Sequence, residues 1–106
     1  MYYLCYQSEC TINLTQDEIL KILNKSRINN VITNVTGILL IVNNTFVQIL
    51  EGEQSKVETL FNKISLDIRH NSIIKLMEGE LSERSFPQWS MGYKLMDTDD
   101  INDINK

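Results

Sequence analysis

Gln48 is the residue that least fits a plain core. It stands at the centre of Phe46-Val47-Gln48-Ile49-Leu50, where strand alternation puts it on the face set by Phe46 and Leu50. An unpaired buried amide costs about 1–3 kcal/mol, so this one must find hydrogen-bond partners. Tyr6 projects from another aromatic-rich run, and a buried phenol has the same need. Arg27-Ile28-Asn29-Asn30 adds a polar segment. Apolar walls with a few directed polar groups are the usual form of a cofactor site.

Each of these residues also has a plainer reading. A Tyr–Gln pair is common as structure, and Asn29 or Asn30 could cap a helix in the left-handed conformation. Asp67-Ile68-Arg69-His70 reads as the close of a second helix, where Arg and His suit the negative end of the dipole. His70 is the only histidine, which rules out a His-based metal site and leaves a surface position or a ligand contact. Trp89 and Met91 lie two apart on an expected strand, hence on one face. Ordinary packing accounts for them, yet a strand slipping by two residues would exchange which of them fills a given hole.

The elements that must position these groups follow from periodicity. Residues 2–8 read as a first strand, with Leu4, Tyr6 and Ser8 on one face. Thr15 and Glu18 have capping-box spacing, and Ile19, Leu20, Ile22 and Leu23 make the stripe of a first helix that the polar residues 24–34 close. The apolar run 38–42 reads as a strand buried on both faces, and Asn43-Asn44 as the turn of a hairpin returning over residues 45–51. Ser55-Lys56-Val57-Glu58 has capping-box spacing again, with Val57, Leu60, Phe61, Ile64 and Ile68 on one helical face. Residues 73–77 and 88–95 read as the fourth and fifth strands. The order β-α-β-β-α-β-β predicts an α+β, ferredoxin-like domain: a five-stranded mixed sheet with two helices on one face. It spans residues 1–96, followed by an acidic tail, 97–106.

Size and charge bound the function. The 106 residues suffice for one domain, and 42% hydrophobic content supports one core. The net charge of −4 is concentrated in the last ten residues, which hold four Asp and one Lys. The nearly neutral remainder has no electrostatic reason to seek phosphate backbones, so nucleic-acid binding is disfavoured. Cys5 and Cys10, the only cysteines, read as reduced thiols rather than a bridge or a zinc set. No signal peptide or membrane-length apolar run occurs, and a cytoplasmic protein with no membrane association is the expectation. Because both faces of the hairpin are apolar and two helices cover one, the other should meet a second subunit, as in a homodimer, a neighbouring output domain or a further C-terminal segment.

Six segments, in order and spacing, carry a family resemblance: Tyr6-Gln7-Ser8; Ser26-Arg27-Ile28-Asn29-Asn30; Val35-Thr36-Gly37-Ile38-Leu39-Leu40; Phe46-Val47-Gln48-Ile49-Leu50-Glu51-Gly52-Glu53; Asp67-Ile68-Arg69-His70; and Phe86-Pro87-Gln88-Trp89-Ser90-Met91. From residue 2 to about 95 the chain resembles a BLUF domain, a blue-light sensor using FAD. The resemblance implies non-covalent FAD, with FMN or riboflavin as substitutes, its ring between the two helices and sandwiched by Ile22 and Ile64. It implies that Asn30 bonds the ring's carbonyl edge, that Gln48 lies between flavin and phenol, and that Tyr6 gives an electron and then a proton to the excited ring. Ser8, Arg27, Asn29, Leu50, Lys63, Asp67, Arg69 and His70 match further flavin contacts, Lys63 standing where many relatives have Arg. Asn34 stands where a glycine is frequent, a residue that tolerates positive φ. Trp89 and Met91 match the strand that passes the signal on.

The residue types suit this chemistry. A phenol with a pKa of about 10 keeps its proton until oxidised, and an amide exchanges donor and acceptor ends without net charge. The expected protein is a photoreceptor and not itself an enzyme. The alternatives are the sensor end of a light-regulated enzyme such as a nucleotide cyclase, a flavin-free interaction module, or an acylphosphatase-like hydrolase using Arg27 and Asn30. The last is weakened by the lack of a Gly-rich phosphate loop after strand one.

Overall fold

Alternation along the first strand decides where the core lies. The computed structural model describes residues 1–10, 15–42, 45–66 and 70–96. In β1 (Tyr2–Cys10) the residues Tyr2, Leu4, Tyr6 and Ser8 are buried while Tyr3, Cys5 and Gln7 are half-exposed. There follow α1 (Gln16–Thr33), β2 (Thr36–Val42), β3 (Thr45–Gly52), α2 (Gln54–Ser65), β4 (His70–Glu80) and β5 (Gly92–Met96). The strands form one sheet in the order β4-β1-β3-β2-β5. Three neighbouring pairs run antiparallel, and β5 lies parallel to β2. This is the expected ferredoxin-like α+β order, with both helices on one face.

The register stacks the core. Tyr6 lies opposite Gln48, Leu4 opposite Leu50, and Leu39 opposite Gln48 on the other side. Ile19 and Leu23 of α1 and Val57 of α2 close over them, with Leu60, Phe61 and Ile64 partly buried against the cluster. The run 38–42 is not buried on both faces as expected. Leu39 and Ile41 are buried; Ile38, Leu40 and Val42 are half-exposed on the face away from the helices. Gly37 is a packing requirement, since a Cβ there would lie 1.9 Å from the carbonyl oxygen of Ile49.

Several boundaries differ from expectation. α1 does not close at residue 24 but runs to Thr33. Asn34 ends it in the left-handed conformation (φ 58°), and the N–H of Val35 returns to the carbonyl of Asn30 at 2.9 Å. The capping role proposed for Asn29 or Asn30 therefore falls to Asn34, whose side chain tolerates that conformation. Thr15 caps as expected, its Oγ1 accepting from the N–H of Glu18 at 3.2 Å. The second capping box does not form: Glu53 is the N-cap of α2, and Ser55 donates to Glu53 Oε1 at 3.1 Å. Leu20 is exposed rather than part of the core stripe. His70 begins β4 instead of closing a helix. Residues 43–44, 67–69 and the tail 97–106 lie outside the described residues, and with them the Asn43-Asn44 turn, Asp67, Ile68 and Arg69. Cys5 is a free thiol. Among the described residues no helix is long and apolar enough to cross a membrane, and no cluster of metal-ligating side chains occurs.

Candidate functional site

β1 and β3 bring the phenol and the amide together because their register sets residue 6 opposite residue 48 on the helix-facing side. Tyr6 is 1% exposed and Gln48 6%, and the Tyr6 hydroxyl donates to Gln48 Oε1. The ring of Tyr6 packs at 5.4 Å, tilted, on Phe61 of α2. The other end of the amide is also engaged, Gln48 Nε2 donating to the Met91 sulfur at 3.2 Å. Phenol, amide and thioether thus form one buried chain across β1, β3 and the segment preceding β5. Ser8 and Leu50 are fully buried on the same face.

The segment carrying Met91 is held by its main chain. The N–H of Gly37 donates to the carbonyl of Trp89 at 3.0 Å. Asn30 Nδ2 donates to the carbonyl of Ser90 at 2.7 Å, and Arg27 Nε to that of Met91 at 3.0 Å. Trp89 does not share Met91's face, as a strand from residue 88 would require. β5 begins only at Gly92, where pairing with Ile38 of β2 starts. Met91 is 2% exposed and Trp89 48%. Trp89 stacks on Phe86, with ring centroids 5.5 Å apart, and lies so close over Gly92 that a Cβ there would meet its ring at 2.5 Å.

Between the helices lies a cleft of about 360 Å³, lined by Ile22, Lys25, Ser26 and Asn29 of α1 and by Leu60, Lys63, Ile64 and Leu66 from the α2 side. Its size and its mix of aliphatic walls with amide and ammonium groups suit a small organic ligand. Asn30 is 1% exposed, and its Oδ1 has no hydrogen-bond partner among the described residues. A native fold rarely leaves such an acceptor unsatisfied unless a ligand or water completes it. The planar ring of a flavin suits the aliphatic walls of the cleft; Asn30 adjoins Asn29 on α1 but is not among the residues that line it.

Of the expected site residues, Tyr6, Gln48 and Met91 come together, and Ile22, Asn29, Lys63 and Ile64 line the cleft. Arg27 faces the other flank of α1, toward residues 88–92, and Trp89 lies outside the site. Asp67 and Arg69 are outside the described residues, as is the side chain of His70. Lys25, Ser26, Leu60 and Leu66 were missed. The first two lie three and four residues after Ile22 on the same helical face, a spacing that could have indicated them. Tyr2 forms a separate cluster, its hydroxyl donating to Glu78. Burial first, and then that carboxylate, push the Tyr2 phenol up to about 12.

Comparison with known proteins shows the family. Photoactivated adenylate cyclase subunit beta of Euglena longa is 32% identical over 89 residues, covering 83% of this chain and 10% of that protein. The chain therefore spans about a tenth of that curated relative. Among solved structures, a bacterial light-regulated adenylyl cyclase superposes with a TM-score of 0.86 at 39% identity, covering 89% of this chain and 28% of that one. The dark state of the BLUF protein BlrB superposes with a TM-score of 0.85 at 32% identity, covering 96% of this chain and 76% of that one. The family model described as sensors of blue-light using FAD matches residues 1–92, and the chain belongs to this BLUF family of flavin-binding blue-light sensors.

Proposed function

We propose that this domain holds FAD between α1 and α2 and reports blue light through the Tyr6–Gln48–Met91 chain. The unpartnered Oδ1 of Asn30, buried beside a segment whose Met91 sulfur already touches Gln48, is the observation that carries the reading. Ile22 and Ile64, which line the cleft, would be the ring's apolar walls, with Lys63 and Asn29 at its polar rim, and Asn30 Oδ1, with no partner among the described residues, would accept from its N–H. FMN or riboflavin would serve the same ring pocket.

A bound flavin would supply, on absorbing blue light, a strong one-electron oxidant for the phenol. Tyr6 is suited to answer it, because its proton is held by an amide rather than a base and leaves only when the ring is oxidised. Gln48 then sets the direction of the signal. In the arrangement described, its carbonyl faces Tyr6 and its NH₂ faces the thioether. A thioether accepts weakly and donates nothing. An amide reversed end for end would turn its oxygen on the sulfur with no bond to gain, so Met91 is released. The segment 89–91 and β5 then carry the change outward.

The domain itself performs no catalysis in this reading. Its output goes to a partner or fused domain, as in the light-regulated cyclases it resembles, through the half-exposed apolar face formed by Cys5, Ile38, Leu40, Val47 and Ile49. A homodimer formed through that face would serve the same purpose, and no nucleic acid is involved. The test is an absorption spectrum of the FAD-reconstituted protein before and after blue illumination. A red shift that reverses in the dark is expected; a chain that takes up no flavin, or takes it up and shows no shift, refutes the reading.

A further inference from the structure

Glu51 is 1% exposed and lies three residues beyond Gln48 on β3, at the end of the strand. A carboxyl withdrawn from water is costly unless its bonds are made, and here they are made to one loop and, at a longer 3.5 Å, to the Thr36 hydroxyl, which donates to Oε1. Oε2 accepts from the N–H of Ser85 and Oε1 from that of Phe86, both at 2.8 Å. Arg84 ties the same loop down from the other side. Its Nη1 donates to Thr36 Oγ1 at 2.7 Å and to the carbonyl of Glu51 at 3.0 Å, and its Nη2 to the carbonyl of Asn34 at 2.7 Å.

The Tyr6–Gln48 and Gln48–Met91 hydrogen bonds do not involve these residues, but they share the supports of that chain. Phe86-Pro87-Gln88-Trp89 closes as a turn, the N–H of Trp89 reaching the carbonyl of Phe86 at 3.3 Å, with proline at the position where its fixed φ stiffens such turns. The ring stack of Phe86 on Trp89 braces it. Trp89 accepts from Gly37, and two residues later Met91 meets Gln48. A short stiff path thus runs from the carboxyl of Glu51 to the sulfur of Met91, and β3 holds both ends: Gln48 directly, Met91 through Glu51.

We propose that Glu51 and Arg84 are positioning residues of the light switch, fixing the loop so that Met91 is returned to Gln48 and thereby setting the lifetime of the light-adapted state. The inference rests on the flavin-sensor reading. It differs from a merely structural role in acting through Met91.

The test uses the full chain with FAD. Dark recovery after blue illumination is followed by absorbance in the parent, E51Q and R84A, each with Met91 intact and in an M91A background. E51Q keeps the shape of the side chain but turns an NH₂ group onto one of the two amides. Recovery is expected to slow by about tenfold in E51Q and R84A, the effect of roughly 1.4 kcal/mol on a barrier, and to change by less than about twofold when Met91 is absent, the scatter of independent sites. Flavin-free protein gives a second readout. Amide exchange should rise in E51Q at Ser85 and Phe86 and also at Gly37, whose N–H is bonded to Trp89. Normal cycling in the parent with unchanged recovery in both variants overturns the proposal. So does an equal slowing with and without Met91, or exchange that rises at 85 and 86 but not at 37. A parent that binds flavin and shows no red shift overturns the sensor reading and this inference with it.

Discussion

Removing the Tyr6 hydroxyl and the Gln48 amide together should cost less stability than the two removals made singly and summed. Tyr6→Phe keeps the ring, which is 1% exposed and packed at 5.4 Å on Phe61, and deletes the donor to Gln48 Oε1. That oxygen stays buried, in a residue 6% exposed, and loses the bond that offset its dehydration, at a cost of about 1–3 kcal/mol. For a domain of this size each kcal/mol lowers Tm by about 4–8 °C. Gln48→Leu alone removes the acceptor of Tyr6 and carries a penalty of the same origin. In the double variant both polar groups leave together, so its cost should fall short of the sum of the singles by about 0.5–3 kcal/mol. Denaturant unfolding of the four flavin-free proteins measures this coupling, and absorbance of the four holo-proteins under blue light should show the red shift in the parent alone. Strictly additive costs would mean that the bond contributes nothing to the core. A persisting shift in Tyr6→Phe would remove the phenol from the mechanism.

Gly37→Ala would set a methyl 1.9 Å from the Ile49 carbonyl; overpacking against backbone should lower stability by at least about 1–3 kcal/mol, read by thermal denaturation, and unchanged Tm would refute the close approach. Since the Tyr2 phenol is raised from 10.0 to about 12 by burial and Glu78, the folded state holds its proton longer than the unfolded state. Its stabilisation is full below pH 10 and is lost as pH rises toward 12, a decline that Tyr2→Phe should flatten in a pH series of Tm. Glu78, whose carboxyl is lowered by its bond to Tyr2 and by Lys75, acts in the opposite sense. Its contribution is present above its ordinary pKa of 4.5 and fades as the medium is acidified below that, and Glu78→Gln should weaken this acid limb. Gly92→Ala would place a methyl 2.5 Å from the Trp89 ring and should move that side chain into solvent, shifting its emission to the red; unchanged emission would show that the seat is not needed.

The architecture was legible because it rests on two periods. Alternation in β1 and β3 and the helical spacing of Val57, Leu60, Phe61 and Ile64 each name one buried face, and seven elements in that order leave few topologies. The failures occurred where tertiary contacts outrank local pattern. Residues 24–33 are polar or β-branched and look like the end of a helix. They stay helical because Arg27 and Asn30 bond the carbonyls of Met91 and Ser90, which lie more than fifty residues away in sequence. Residues 88–91 look like strand but precede β5, since Pro87 heads a turn and pairing with β2 begins only at Gly92.

The site divides along the same line. Tyr6 and Gln48 could be paired from sequence because a polar side chain on an apolar face advertises its need for a partner. Met91 could be suspected but not oriented: the choice between it and Trp89 depends on where β5 starts, and that is fixed by main-chain bonds. Glu51 was one letter in a motif, and Ser85 and Phe86 carry no sign of it, because what it binds in them is the amide that every residue but proline possesses. Contacts between side chains leave a mark in both partners; contacts to the backbone leave it in one. The phenol and amide that would respond to light belong to the first kind, and the anchors that would return Met91 to its place belong to the second. A substitution of the side chain at Ser85 or Gln88 should therefore change little, whereas one at Glu51, which is buried and does not line the cleft, should be felt at Gln48.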